Sequence, residues 1–197
     1  MRPSSPTEHA TRISERRDTL RSTLATIIGS GARFVWEVGS GHGHFLTAFA
    51  AEHTDVSCVG IDIAEDRILR SERKRVRSRL TNLHFVRAAA DDFLAAMPEG
   101  SRFLSVYVLF PDPWPKRRHH KNRVMTREFL STVARLSVPG GPLFFRTDHE
   151  AYFLQAAATV RGHPDWAETE PASWPFEEPT VFQLKAERHF SLVALRR

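Results

Sequence analysis

From residue 34 onward the sequence switches repeatedly between two periodicities, and this alternation limits the fold more than any other feature. Short runs rich in Val, Ile and Phe at 34–38, 56–61, 83–87, 103–108 and near 142–147 read as strands. Between them, 43–52, 64–79, 91–97, near 126–136 and near 149–161 carry apolar residues at helical spacing. Strands that alternate with helices predict an α/β protein with a doubly wound, mostly parallel sheet, because each crossover helix must cover one face of that sheet. The run 189–195 alternates as a last strand, expected antiparallel at or near a sheet edge. Ile13, Leu20, Leu24, Ile27 and Ile28 recur at helical spacing and stop at Gly29. Residues 1–11, with Pro3 and Pro6, read as a flexible tail, 12–197 as a single domain, and 164–179 as irregular and acidic.

A chain of 197 residues can bury a sizeable core. Its net charge of +5 favours an acidic partner. Cys58 is the sole cysteine and sits in an apolar run, which excludes an internal disulfide and a cysteine-cluster metal site and reads as an inert core thiol. No metal is expected. No stretch is apolar for long enough to span a bilayer, so no membrane partner is expected. The N-terminus has no secretory apolar region, and Glu8, Glu15 and Asp18 count against a transit peptide. These features predict a cytoplasmic protein.

The first strand runs into Glu37-Val38-Gly39-Ser40-Gly41-His42-Gly43. Glycines at a strand-to-helix turn let the chain reverse tightly and let a ligand touch backbone. The spacing is G-x-G-x-G, with His44 where a dinucleotide fingerprint has its third glycine. Glu37 would repel a pyrophosphate but attract an ammonium group. Asp62 closes the second strand, where a carboxylate accepts ribose hydroxyls. Ala88, Ala89 and Ala90, followed by Asp91 and Asp92, close the third unit: small residues for a flat base, with an acid at its edge. Asp91 or Asp92 is equally suited to cap the following helix. Ammonium, ribose and adenine without phosphate describe S-adenosylmethionine, and this half resembles class I methyltransferases.

The fourth strand leads into Phe110-Pro111-Asp112-Pro113-Trp114-Pro115-Lys116, then Arg117-Arg118-His119-His120-Lys121-Asn122-Arg123. Three alternate prolines deny this loop a helix and stiffen it. It sets one carboxylate and one large aromatic just past a strand end, with a cationic run behind them. A second basic run, 70–79, also suits a polyanion backbone, although a solvated helix face is the preferred reading of it.

The proline-tryptophan motif with its basic tail, Arg146-Thr147-Asp148 with Tyr152, and Thr180-Val181-Phe182 closely resemble the tRNA (guanine-N7)-methyltransferase family, from about residue 34 to the C-terminus. The resemblance implies methyl transfer from S-adenosylmethionine to N7 of a variable-loop guanosine in tRNA. It implies Asp112 as the catalytic residue, also beside the cofactor, with Glu37, Gly39, Gly41, Gly43, Asp62, Ala90 and Asp91 holding the cofactor. Lys116, Asp148, Thr180 and Gln183 correspond to substrate contacts. Arg117, Arg118, Lys121 and Arg123 suit the RNA backbone, holding it without reading sequence. Trp114 is either a stacking surface or a buried anchor for its loop.

The chain departs from the family pattern at three places. Gln183 stands for the Glu of a Thr-x-x-Glu motif, Ala89 stands where an acid or amide is common, and 184–189 lacks the usual glycines. Alternatives are a related enzyme acting on another RNA guanine or a small substrate, and a non-catalytic RNA-binding relative. A nicotinamide oxidoreductase is disfavoured by Glu37 and by the absent third fingerprint glycine.

Overall fold

The computed structural model describes residues 6–169, 174, 176–178 and 188–197. Seven strands form one sheet in the order β3-β2-β1-β4-β5-β7-β6. They are β1 (Arg33–Val38), β2 (Ser57–Asp62), β3 (Leu83–Arg87), β4 (Arg102–Leu109), β5 (Pro142–Thr147), β6 (Trp166–Glu168) and β7 (Phe190–Arg196). The helices are α1 (Pro6–Ile27), α2 (His44–Glu52), α3 (Glu65–Arg77), α4 (Ala90–Ala96), α5 (Arg127–Leu136) and α6 (Glu150–Arg161). β1 to β5 pair in parallel, as the alternating pattern requires. β7 runs antiparallel between β5 and β6, so the last strand lies next to the edge and β6 forms it.

Residues 34–38 alternate between the two faces of the sheet. Phe34, Trp36 and Val38 join the core beneath α1, α4 and α5, while Val35 joins the one beneath α2 and α3. Trp36 is stacked between Phe93 and Phe103, with ring centroids 4.9 and 4.8 Å away. Replacing so large a buried ring with Ala typically costs about 3–5 kcal/mol, because the cavity closes only in part. Cys58 is buried in the opposite core, where burial pushes its thiol pKa up to about 12, consistent with an inert thiol.

Three local features differ from the sequence reading. α1 begins at Pro6, inside the expected tail; proline fits a first helical turn because its missing N–H would have no partner there. Within 164–179, read as irregular, Trp166–Glu168 forms a strand. Three residues are too few to show a period, and this strand exists because β7 offers it an edge while Trp166 buries its ring and donates Nε1–H to Leu130 O at 3.0 Å. Inside the basic run, Arg117–Asn122 winds into a short 3-10 helix. Among the described residues no helix is long and apolar enough to cross a membrane.

Candidate active site

The sheet order reverses between β1 and β4, and the carboxyl ends of β1, β2 and β4 open there into a cleft of about 800 Å³. A crevice at such a switch point is where open α/β sheets bind ligands, and the volume suits a cofactor-sized molecule.

One wall is the glycine turn. Gly39, Gly41 and Gly43 have φ of 72°, 55° and 67°, so the G-x-G-x-G spacing marks three alternate left-handed residues. Gly39 and Gly41 have open space where a Cβ would stand. Gly43 does not: a Cβ there would lie 2.5 Å from Phe85 Cζ, and this glycine packs α2 against the sheet rather than lining the cleft. The turn is held from several sides. Ser40 N–H donates to Ile61 O at 2.8 Å, Ser71 Oγ donates to Gly41 O at 3.0 Å, and Lys74 Nζ donates to His42 O at 2.9 Å.

Asp62 ties the turn to β2. Its Oδ2 accepts from Gly41 N–H at 3.0 Å, its Oδ1 from Ala64 N–H at 2.8 Å, and Arg67 Nη1 approaches Oδ2 at 3.4 Å. The carboxylate is only 4% exposed yet lines the cleft. A carboxylate has about four lone-pair sites, so Asp62 could accept from a ribose diol, with the second hydrogen bond taking the place of the long Arg67 contact.

Glu37 is buried at the cleft floor, and its Oε2 has no hydrogen-bond partner among the described residues. Burial, then the nearby Asp62 carboxylate, push its pKa up to about 8, against partial relief from the backbone at Leu46 and from Lys74. A cationic ligand group would relieve both penalties. Asp91 opens α4 without capping it: the N-cap is Ala89, which makes no side-chain cap bond, and Asp91 is exposed to the cleft. Asp92 is instead paired with Arg17 at 3.2 Å. An orphaned carboxylate oxygen, an open glycine turn, a strand-end acid and a small-residue patch fit S-adenosylmethionine.

The proline loop forms the facing wall. Asp112 is exposed and lines the cleft between two residues in the left-handed region, Phe110 at φ 48° and Trp114 at φ 45°. Such non-glycine residues cost of order 1–3 kcal/mol each and cluster where function fixes the backbone. Phe110 N–H donates to Arg146 O at 2.8 Å, which ties the loop to β5. Trp114 is half-buried, lines the cleft and meets His119 edge-on at 5.8 Å, so it belongs to the wall as well as supporting the loop.

Arg123 corrects the sequence reading. It is 3% exposed, donates Nε–H to Pro113 O at 2.8 Å and Nη1–H to Gln155 Oε1, and its guanidinium lies over the Tyr152 ring at 4.6 Å. This side chain is an internal brace for the proline loop, not a solvent-facing phosphate contact; a guanidinium in a cationic run looks the same in sequence whichever way it points. Lys116, Arg117, Arg118 and Lys121 are exposed, and of these only Lys121 lines the cleft. Asp148 is exposed past β5, outside the cleft lining. Thr180 and Gln183 lie outside the described residues. The cleft also contains residues that sequence reasoning did not single out: Ile63 and Arg67 after β2, and Val124, Thr126 and Phe129 at the start of α5. Ile63, a large apolar side chain 69% exposed directly after Asp62, carries a faint signal; the α5 residues carry none, because only the tertiary fold returns them to the site.

Residues 32–194 match a protein family described as putative methyltransferase. Among solved structures, the chain resembles an O-methyltransferase from Bacillus cereus (TM-score 0.62, 14% identity, 99% of this chain and 83% of that one) and an rRNA methylase from Streptococcus thermophilus (TM-score 0.56, 11% identity, 100% and 99%). At those identities they establish the fold. Among curated proteins, a tRNA (guanine-N(7)-)-methyltransferase of Treponema pallidum is 34% identical over 79% of this chain, which spans 62% of that relative's length. The like-named protein of Microcystis aeruginosa is 30% identical over 79% of this chain and 74% of its own, and that of Geobacter metallireducens is 31% identical over 73% and 68%. With similarity of this extent across a cleft of this construction, the chain belongs to the tRNA (guanine-N7)-methyltransferase family.

Proposed function

We propose that the protein transfers a methyl group from S-adenosylmethionine to N7 of a variable-loop guanosine in tRNA, acting in the cytoplasm through one methyltransferase domain. The observation that carries this reading is the opposition, across one cleft, of a buried, internally bonded acidic wall and an exposed Asp112 on a strained proline loop. The cofactor supplies an electrophilic methyl group on a sulfonium that leaves as a neutral thioether.

On one wall, Asp62 holds the ribose, Glu37 faces the ammonium end, and Ala88, Ala89 and Ala90 bed the adenine with Asp91 at its edge. On the other, Asp112 accepts hydrogen bonds from the guanine N1–H or amino group and offsets the positive charge that develops on the ring. Guanine N7 has a free lone pair and no proton, so the chain needs no strong general base. Alignment of N7 with the methyl group is the main contribution, and aligned geometry can be worth about 7–11 kcal/mol. Trp114 offers a stacking surface, while Arg117, Arg118 and Lys121 hold phosphates. Lys116 and Asp148, exposed outside the cleft lining, meet the substrate beyond the reacting base.

The test is incubation with methyl-labelled S-adenosylmethionine and bulk tRNA, followed by nucleoside mapping. Label in 7-methylguanosine at the variable loop is the expected result. Label in another nucleoside would reassign the substrate, and RNA binding without incorporation would leave a non-catalytic relative.

A further inference from the structure

The molecule has a second cationic surface, on α3, that the cleft chemistry does not use. Arg70, Arg73 and Arg77 are exposed and follow one another at three and four residues, so they form a row along one side of the helix. Arg67, three residues before Arg70, lines the cleft, so the row starts at the mouth of the site and runs outward from it. Among the described residues no carboxylate pairs with Arg70, Arg73 or Arg77. Glu72, the sole acid between residues 67 and 79, is engaged by Arg75 at 2.9 Å and by Phe85 N–H at 3.2 Å.

A solvated helix face explains this poorly. Cations in the last turn are favoured by the helix dipole, which accounts for Lys74, Arg75 and Arg77 but not for Arg70 and Arg73 in the middle. Like charges three and four residues apart disfavour the helix. Uncompensated repulsion on a free surface points to a polyanion that relieves it. All three cations are arginines, whose planar fork suits phosphate oxygens. A helical turn rises about 5.4 Å, of the order of the separation between successive phosphates along a nucleic-acid strand.

We propose that this arginine row on α3 is a second RNA-backbone surface, which tracks phosphates of the same tRNA whose guanosine enters the cleft. The proposal rests on the tRNA reading above. The inner side of α3 holds the glycine turn through the buried Ser71, so the two faces of one helix serve the two substrates.

The experiment measures tRNA affinity against salt for the parent, for Arg70→Gln/Arg73→Gln/Arg77→Gln, and for the corresponding triple Lys variant. Melting temperature and S-adenosylmethionine affinity serve as controls. The Gln variant is expected to bind tRNA at least tenfold more weakly near physiological salt. Its log–log salt slope should be shallower by about 2, at roughly 0.7–0.9 per lost phosphate contact. The Lys variant should keep most of the slope, and both controls should stay at parent values. An unchanged slope in the Gln variant, with a parent that methylates tRNA, overturns the α3 surface and leaves the functional reading standing. A parent that neither binds nor methylates tRNA overturns both. Loss of binding to phosphatidylserine vesicles with tRNA affinity intact would make this face a membrane-facing surface and also overturn the proposal.

Discussion

The two walls of the cleft are built on opposite principles. The glycine-turn wall is buried and bonded within itself: Asp62 and Ser71 are nearly inaccessible, and Asp62, Ser71 and Lys74 each hold a backbone group of the turn or its flank. The proline-loop wall presents its key carboxylate to solvent and gets its rigidity from three prolines, two left-handed residues and the Arg123 brace beneath. A small cofactor is bound best by a site formed in advance, since ordering a loop would subtract from its affinity. The RNA substrate proposed above would enter from outside, so the groups that meet it would stay exposed, and stiffness would come from backbone restriction instead of burial.

That contrast fails first if the two aspartates behave alike. Asp112→Ala should lower turnover by about a hundredfold or more, the scale of a misaligned reacting pair, with melting temperature and cofactor affinity unchanged. Asp62→Ala should lose cofactor affinity and also melt earlier, since bonds from backbone N–H to a carboxylate contribute roughly 1.5–3 kcal/mol each. Single-turnover kinetics and thermal scans of both variants check this; an Asp112 variant that melts early would make the proline loop a structural element.

The next effect separates the walls by pH. The pKa of Glu37 is raised from 4.5 to about 8, so the native state holds a proton that the unfolded chain has lost between those values. The stability from this group is therefore complete below about pH 4.5 and is lost as pH rises through about 8. A cationic ligand beside Glu37 requires its ionised form. Cofactor affinity should then rise with pH by up to about tenfold per unit below 8, with uptake of one proton by buffer. Titration calorimetry in buffers of different ionisation enthalpy measures that proton, and Glu37→Gln should abolish the dependence. A flat profile in the parent would place the ammonium end elsewhere.

Within the cofactor wall, Gly43→Ala should destabilise more than Gly39→Ala. Both carry a left-handed cost of about 1–2 kcal/mol, and Gly43 adds overpacking against Phe85 of about 1–3 kcal/mol. Denaturant melts resolve the two, and equal losses would show that Phe85 yields freely. The smallest effect concerns Trp114. Trp114→Gly should leave the melting temperature within a few degrees of the parent, because relief of backbone strain offsets lost packing, while tRNA affinity falls by up to a few kcal/mol, the scale of a base-stacking contact. A large drop in melting temperature with intact tRNA affinity would make Trp114 an anchor only.

Much of the molecule was legible in the residue order. The strand and α-helix boundaries from 33 to 161 follow from periodicity to within about two residues, because each crossover unit buries its own stripe and the signal is local. The G-x-G-x-G turn and the acid closing β2 were legible for the same reason: a left-handed turn needs glycine, and a strand end fixes where a side chain emerges. The sequence also marked the proline loop as stiff, and the structure sets that loop against the cleft. What it left undecided is what depends on direction and distant partners. Arg123 and Arg118 are alike in the chain, yet one is folded under Tyr152 and the other faces water. β6 exists because β7 provides an edge, Asp91 and Asp92 part company because Arg17 reaches only the second, and the start of α5 reaches the cleft by sheet order alone. Local backbone preference and hydrophobic spacing are properties of neighbours in sequence, whereas burial and charge pairing are properties of neighbours in space.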